Sequence, residues 1–196
     1  MADYHNHFHH FAISYYEGSR TVKPRGFSQW DGVGEFEDHI GLTKEQYREA
    51  KLAYRQGGGK RLMPAFGMIH APEYASRLGF EVWITTTRPW MRHDSTDPDT
   101  RHWLEKHGVA FDHLLYEDPN KYERLAELVD AHRVLFVIDD LDVMLRQAEL
   151  FLPRAAVVKA ERFHNQFDDW HTGAGGLLQV QEILETCKAV WDARDR

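Results

Sequence analysis

The stretch VLFVIDDLDVML, residues 134–145, constrains the fold more than any other. Side chains of a β-strand alternate between its two faces. An unbroken apolar run such as Val134–Ile138 therefore needs cover on both sides, as a buried parallel strand has. The run stops abruptly at two carboxylates, Asp139 and Asp140. Shorter runs of the same kind surround it: EVWITT at 81–86, FDHLLY at 111–116 and AAVVK at 155–159. Between them lie segments with helical spacing at 98–108, 119–131 and 141–151, and a last helix is expected over 175–194. Strand–helix alternation from 81 to 160 predicts right-handed βαβ crossovers. The expected fold class is α/β, a doubly wound parallel sheet with helices on both faces.

The first third of the chain is different in character. Residues 4–17 place Phe8, Phe11 and Ala12 at helical spacing. Residues 18–34 are rich in Gly, Pro and Ser and read as a loop. In LTKEQYREAKLAYR, Thr43 is an N-cap candidate and Gln46 completes a capping box, so a helix is expected to start there. Gly57, Gly58 and Gly59 end it; a further helix is expected over 64–77, with Gly79 as its stop.

The 196 residues carry a net charge of −7, which argues against a broad nucleic-acid surface or an anionic-membrane surface. A small anionic ligand is compatible with it, because a local site can oppose the global charge. No apolar run approaches the ~20 residues of a membrane span, and no membrane partner is expected. Cys187 is the single cysteine; no internal disulfide can form, and a reducing, cytoplasmic setting is expected.

Ligands of open α/β sheets sit beyond the carboxyl ends of the strands. Three groups fall there. Thr85, Thr86 and Arg88 end the first strand; a hydroxyl there can bind a phosphoryl oxygen and the guanidinium can add charge. Lys121 starts the helix after the second strand, where an ammonium can neutralise a phosphate. Asp139 and Asp140 end the third strand and suit Mg²⁺, which takes oxygen ligands and few of them from protein. The same pair also suits a plainer role, capping the helix that follows.

In order and spacing, VWITTTRPW, DPNKYERL and VLFVIDDLDVML resemble the second, third and fourth motifs of the haloacid dehalogenase superfamily, and its small 5′-nucleotidase-like members above all. The resemblance covers roughly residues 61–186. It implies a doubly wound, Rossmann-like core over 61–196, a small helical cap over 15–60, and a first core helix over 1–14. It implies Thr86 as the phosphate-binding hydroxyl, with Thr85 the near alternative, Lys121 as the phosphate-binding ammonium, and Asp139 and Asp140 as Mg²⁺ ligands. Arg88, Arg162 and Asn165 are further substrate-binding candidates, the last two because similar positions lie near the site in nucleotidase-like members. The implied substrate is a phosphorylated small molecule, with a nucleotide as one candidate. An oligomer is compatible with all of this.

One departure from the family pattern matters. The family's first motif is a strand ending in Asp-x-Asp-Gly, whose first carboxylate is the nucleophile. The chain opens Met-Ala-Asp-Tyr, as though just downstream of that strand. Asp31-Gly32-Val33 imitates its second half but follows KPRGFSQ, which cannot be a buried strand. A catalytically impaired protein with weak or absent Mg²⁺ binding is therefore expected; the alternatives are a non-enzymatic phosphate-binding or protein-interaction remnant and, if the true N-terminus lies upstream of Met1, an Mg²⁺-dependent phosphatase. On this reading His5, His7, His9 and His10 lie on the first helix, in packing or solvated roles. If the strand is missing, its two flanking strands, 81–86 and 133–138, are expected to close the gap by pairing directly.

Overall fold

The computed structural model describes residues 4–30, 33–57, 68–86, 96–117, 119–160, 172–174 and 176–194. They divide between two compact units, Met1–Ala65 and Phe66–Arg196.

The first unit is helical: α1 (Tyr4–Tyr15), α2 (Phe36–His39) and α3 (Lys44–Gly57). The expected capping box opens α3. Thr43 N–H donates to Gln46 Oε1 at 2.9 Å and Gln46 N–H donates back to Thr43 Oγ1 at 3.3 Å, so two backbone donors at the helix start are met locally. The core is aromatic: Phe8, Ala12, Phe36, Ile40, Leu42, Ala50 and Tyr54 are buried together. The first helix, grouped with the α/β core in the sequence reading, shares this cluster with α2 and α3 through Phe8 and Ala12. After α2 the chain turns at Gly41 with φ +74°, and a Cβ there would stand 2.9 Å from Arg25 Cγ.

The second unit is mixed α/β. In chain order it contains α4 (Ala71–Arg77), β1 (Trp83–Thr86), α5 (Thr96–Lys106), β2 (His113–Tyr116), α6 (Lys121–Leu128), β3 (Phe136–Asp139), α7 (Asp142–Phe151), β4 (Ala156–Ala160), β5 (Thr172–Ala174) and α8 (Leu177–Arg194). Gly79 and Gly108, with φ of +86° and +63°, follow α4 and α5, Gly79 as the stop the sequence suggested. Every strand pairing is parallel.

In place of one continuous sheet, the described residues form two, β1-β2 and β3-β4-β5. Trp83 pairs with His113 and Thr86 with Tyr116 in the first; Phe136 pairs with Ala156 and Asp139 with Lys159 in the second. The direct pairing expected between 81–86 and 133–138 is not formed: among the described residues no backbone hydrogen bond joins β1 to β3. Their carboxyl ends are instead connected through a buried side chain of α6.

Alternation along β3 explains its long apolar run. Phe136 and Ile138 pack with Val158, Ala160, Val180 and Leu184, the cluster shared with α4 and α8. Val137 points the other way, into a cluster with Tyr122 and Leu125 of α6 and Met144, Ala148 and Leu152 of α7. Trp83 of β1 and Leu115 of β2 pack against this second cluster too. The α6–α7 layer therefore underlies both sheets, and it fixes where their carboxyl ends stand.

Candidate functional site

Asp139 is the last residue of β3 and lies two positions after Val137, on the face toward α6 and α7. Its carboxylate is a hub. Oδ1 accepts the backbone N–H groups of Asp140 at 2.9 Å and Leu141 at 3.1 Å, which fixes the turn into α7. Oδ2 accepts the Tyr122 hydroxyl at 2.8 Å and the Lys121 ammonium in a short ion pair. Lys121 is 6% exposed, Tyr122 3% and Asp139 8%, so charge, counter-charge and phenol are all shielded from water. Burying an ion pair is favourable only when further hydrogen bonds satisfy its remaining sites; on Asp139 the phenol and two backbone N–H groups supply them.

Lys121 and Tyr122 are the first two residues of α6, whose N-cap residue Asn120 makes no side-chain cap bond. Gln147 of α7 does this instead. Its Oε1 accepts Tyr122 N–H at 2.8 Å and its Nε2 donates to Pro119 O at 3.2 Å. The start of α6 is thereby tied to α7, and α7 to the end of β3. The Lys121 ammonium also lies 4.9 Å from the centre of the Tyr122 ring, a cation–π distance.

The Tyr122 hydroxyl reaches β1 as well. Burial holds the phenol well above its ordinary pKa, and the Asp139 carboxylate adds to this; a hydrogen bond from the Thr85 hydroxyl acts in the opposite sense. Tyr122 donates to Asp139 and the Thr85 side chain acts on the same hydroxyl, so the phenol lies between the ends of β1 and β3. This separates the two threonines. Successive strand residues face opposite ways, so Thr85 faces Tyr122 and Thr86 stands on the other face at the end of β1.

A second buried lysine stands nearby. Lys159, paired in register with Asp139, is 2% exposed, and its ammonium lies 3.0 Å from Asp142 Oδ1. Sequence reasoning missed Tyr122, Gln147 and Lys159. A lysine ending the apolar run AAVVK is a signal that could have marked Lys159. Nothing local marks Gln147, whose partners lie 25 and 28 positions away.

The structure thus brings Lys121, Asp139 and Thr85 to one place through Tyr122, with Asp140 next in the chain. Arg88, Arg162 and Asn165 lie outside the described residues. For Mg²⁺, the resemblance implied Asp139 and Asp140. An ionised carboxylate offers about four acceptor sites, and Asp139 already receives four donors. A cation at Asp139 must displace Lys121 or Tyr122. Among the described residues, no group of three His, Cys, Asp or Glu side chains is placed to hold a metal ion. Asp139 is thus set as the partner of Lys121 and the cap of the β3–α7 turn, an arrangement that does not suit Mg²⁺ as it stands.

Among the described residues, no helix is long and apolar enough to cross a membrane. In comparisons with family models, curated proteins and solved structures, nothing matches the chain.

Proposed function

We propose that this chain is a phosphohydrolase-like protein of the haloacid dehalogenase type, 5′-nucleotidase-related, that binds a phosphorylated small molecule and is catalytically impaired in this form. The supporting observation is the meeting of Lys121, Asp139 and Thr85, from three separate segments, at the carboxyl ends of parallel strands. Ligand sites of α/β sheets lie at that end, and the resemblance places a phosphate there.

In this reading a threonine hydroxyl at the end of β1, Thr86 or its near alternative Thr85, donates to a phosphoryl oxygen and Lys121 supplies the opposing charge. Asp139 holds the Lys121 ammonium at the strand ends; Tyr122 holds Asp139. Arg88, Arg162 and Asn165 are carried as candidate contacts to the rest of the substrate. The impairment follows from the resemblance, because the given sequence has no Asp-x-Asp-Gly motif to supply the family's nucleophile. Asp139, the carboxylate beside Lys121, has both oxygens engaged, which leaves it a poor nucleophile. Loss of the nucleophile in such machinery removes most of the rate, and binding and positioning leave a small remainder. The same engagement makes any Mg²⁺ binding weak and favours the second reading, a non-enzymatic phosphate-binding remnant of the fold.

The test is a titration of the purified chain with a nucleoside monophosphate and with inorganic phosphate, followed by amide shifts, beside an assay of phosphate-ester hydrolysis. Saturable shifts at 85–86 and 121–122, lost in Lys121→Met, with turnover at background, are expected. Robust Mg²⁺-dependent turnover abolished by Asp139→Asn overturns the impairment; absence of any phosphate-induced shift overturns the site.

A further inference from the structure

A second buried cation stands at the strand ends, beside the Lys121–Asp139 pair. Lys159 of β4 is paired in register with Asp139 of β3, and register partners on neighbouring strands point to the same face of the sheet. Val157, two positions earlier, packs with the α6–α7 cluster as Val137 does, so Lys159 rises on that side too. It is 2% exposed. Its ammonium lies 3.0 Å from Oδ1 of Asp142, in the first turn of α7. That oxygen is buried, and among the described residues no hydrogen bond is directed at it; the ammonium is the charge it faces. The turn from β3 into α7 carries three carboxylates within four residues, Asp139, Asp140 and Asp142, a density of oxygen ligands that ordinarily draws a divalent cation. Here Lys121 reaches the first from α6 and Lys159 reaches the third from β4.

We infer that Lys159 is the resident cation of the strand-end site: its ammonium takes, at the carboxylates of the β3–α7 turn, the place a divalent ion would need, so the phosphorylated ligand is bound without metal.

The donor set supports this in two ways. Mg²⁺ bonds oxygen at about 2.0–2.1 Å and keeps several waters around it. An ion bonded to the buried oxygen of Asp142 would have to stand on the ammonium's side of it, in a place shut off from the waters such an ion keeps. Charge acts in the same sense. Lysine side chains are almost never fully buried unless paired. A divalent ion taking these carboxylates would leave two buried ammonium groups, Lys121 and Lys159, facing it without their counter-charges. Like charges shielded from water repel far more strongly than exposed ones. The Asp142 side chain is itself 38% exposed, so its outer side is open to ions from solvent, and the buried ammonium sets which cation it holds. The binding of a phosphorylated ligand rests on the reading given above; the place of Lys159 does not.

Mn²⁺, a paramagnetic ion that takes the same carboxylate and water ligands as Mg²⁺, reads the site without any phosphate. In the wild-type chain it should broaden the amides of 139–142 no more than those beside exposed carboxylates elsewhere. Lys159→Met keeps the stem and removes the charge. The same amides should then broaden at Mn²⁺ concentrations lower by about tenfold or more, since a shielded like charge has gone. Lys159→Met/Asp142→Asn removes the carboxylate left over and should return to the wild-type response. Phosphate-induced shifts of the wild-type chain should be equal in Mg²⁺ and in EDTA. Broadening centred on 139–142 in the wild type, no gain in folded Lys159→Met, or phosphate shifts that require Mg²⁺ overturns the inference. The two wild-type arms decide it even where Lys159→Met does not fold. An absence of phosphate shifts in both buffers overturns the phosphate-binding reading, and Mn²⁺ then decides the place of Lys159 alone.

Discussion

Replacing Lys121 by Met tests the buried pair at the strand ends without reference to any activity. Met follows the lysine stem and fills similar volume, so the packing change is small. What is lost is the cation opposite a carboxylate whose side chain is 5% exposed. Removing one partner of a buried pair costs about 3–5 kcal/mol, because a charge is left uncompensated. Asp139 keeps the Tyr122 hydroxyl and two backbone N–H donors, so the lower end, about 3 kcal/mol, is expected. For a unit of this size that lowers the melting midpoint by about 10 °C. Against a typical stability of about 5–15 kcal/mol the loss is readily measured. Urea unfolding followed by tryptophan fluorescence gives the value. Trp30 is the single tryptophan of the helical unit, so a Trp30→Phe background confines the signal to the α/β unit. The double variant Lys121→Met/Asp139→Asn removes the stranded charge and keeps an oxygen for the turn amides. Its cost should fall short of the sum of the single costs by about 2 kcal/mol. A single-variant loss below about 1 kcal/mol, as for an exposed pair, or strict additivity, refutes the reasoning.

Tyr122→Phe keeps the ring and removes the hydroxyl that links Thr85 to Asp139; a loss of about 1.5–3 kcal/mol is expected by the same urea assay, since a hydrogen bond to a charged acceptor goes. Thr85→Val should cost stability, about 1 kcal/mol, with little effect on phosphate-induced shifts, and Thr86→Val should abolish those shifts. Gln147→Ala removes the cap of α6, and a loss of about 1–2 kcal/mol with faster amide exchange at Tyr122 is expected. Gly41→Ala places a Cβ at positive φ and against Arg25, and should destabilise the helical unit by about 1–2 kcal/mol, read from its Trp30 fluorescence on unfolding.

The parts legible in the sequence are those with a local cause. The capping box at Thr43 and Gln46, the glycine stop at 79, and the apolar run closed by Asp139 each state their geometry within a few residues. The strands near 83, 113, 136 and 156 follow from the same kind of signal, as does the position of Lys121 at a helix start. What escaped was set by tertiary contact. α2 has four residues, too few for a period to show. β5 lies in a glycine-rich stretch and owes its existence to pairing with β4. Gln147 caps a helix other than its own, and the sequence marks Tyr122 only as an aromatic of a helical segment, with nothing to say that its hydroxyl lies between two strand ends. The division into two sheets was equally invisible, because each strand is apolar enough to pair with any other. The two adjacent threonines could not be told apart from spacing alone; strand alternation and the position of Tyr122 separate them.

Two short sheets have four edges where one sheet of the same strands has two. A strand edge presents N–H and C=O groups that will pair with any extended segment of suitable register. Among the described residues, no strand pairs with β1 or β3 on the side turned away from β2 and β4, and these strands are built largely of Trp, Ile, Phe, Val and Thr, good strand formers with no charge until Asp139. Were a second chain to add a strand at such an edge, the association would depend on chain concentration, and light scattering over a dilution series would read it. A lysine at Ile84 or Val137 would blunt an edge but also bury a charge, so solubility in this protein is better sought by keeping it dilute than by altering the strands themselves.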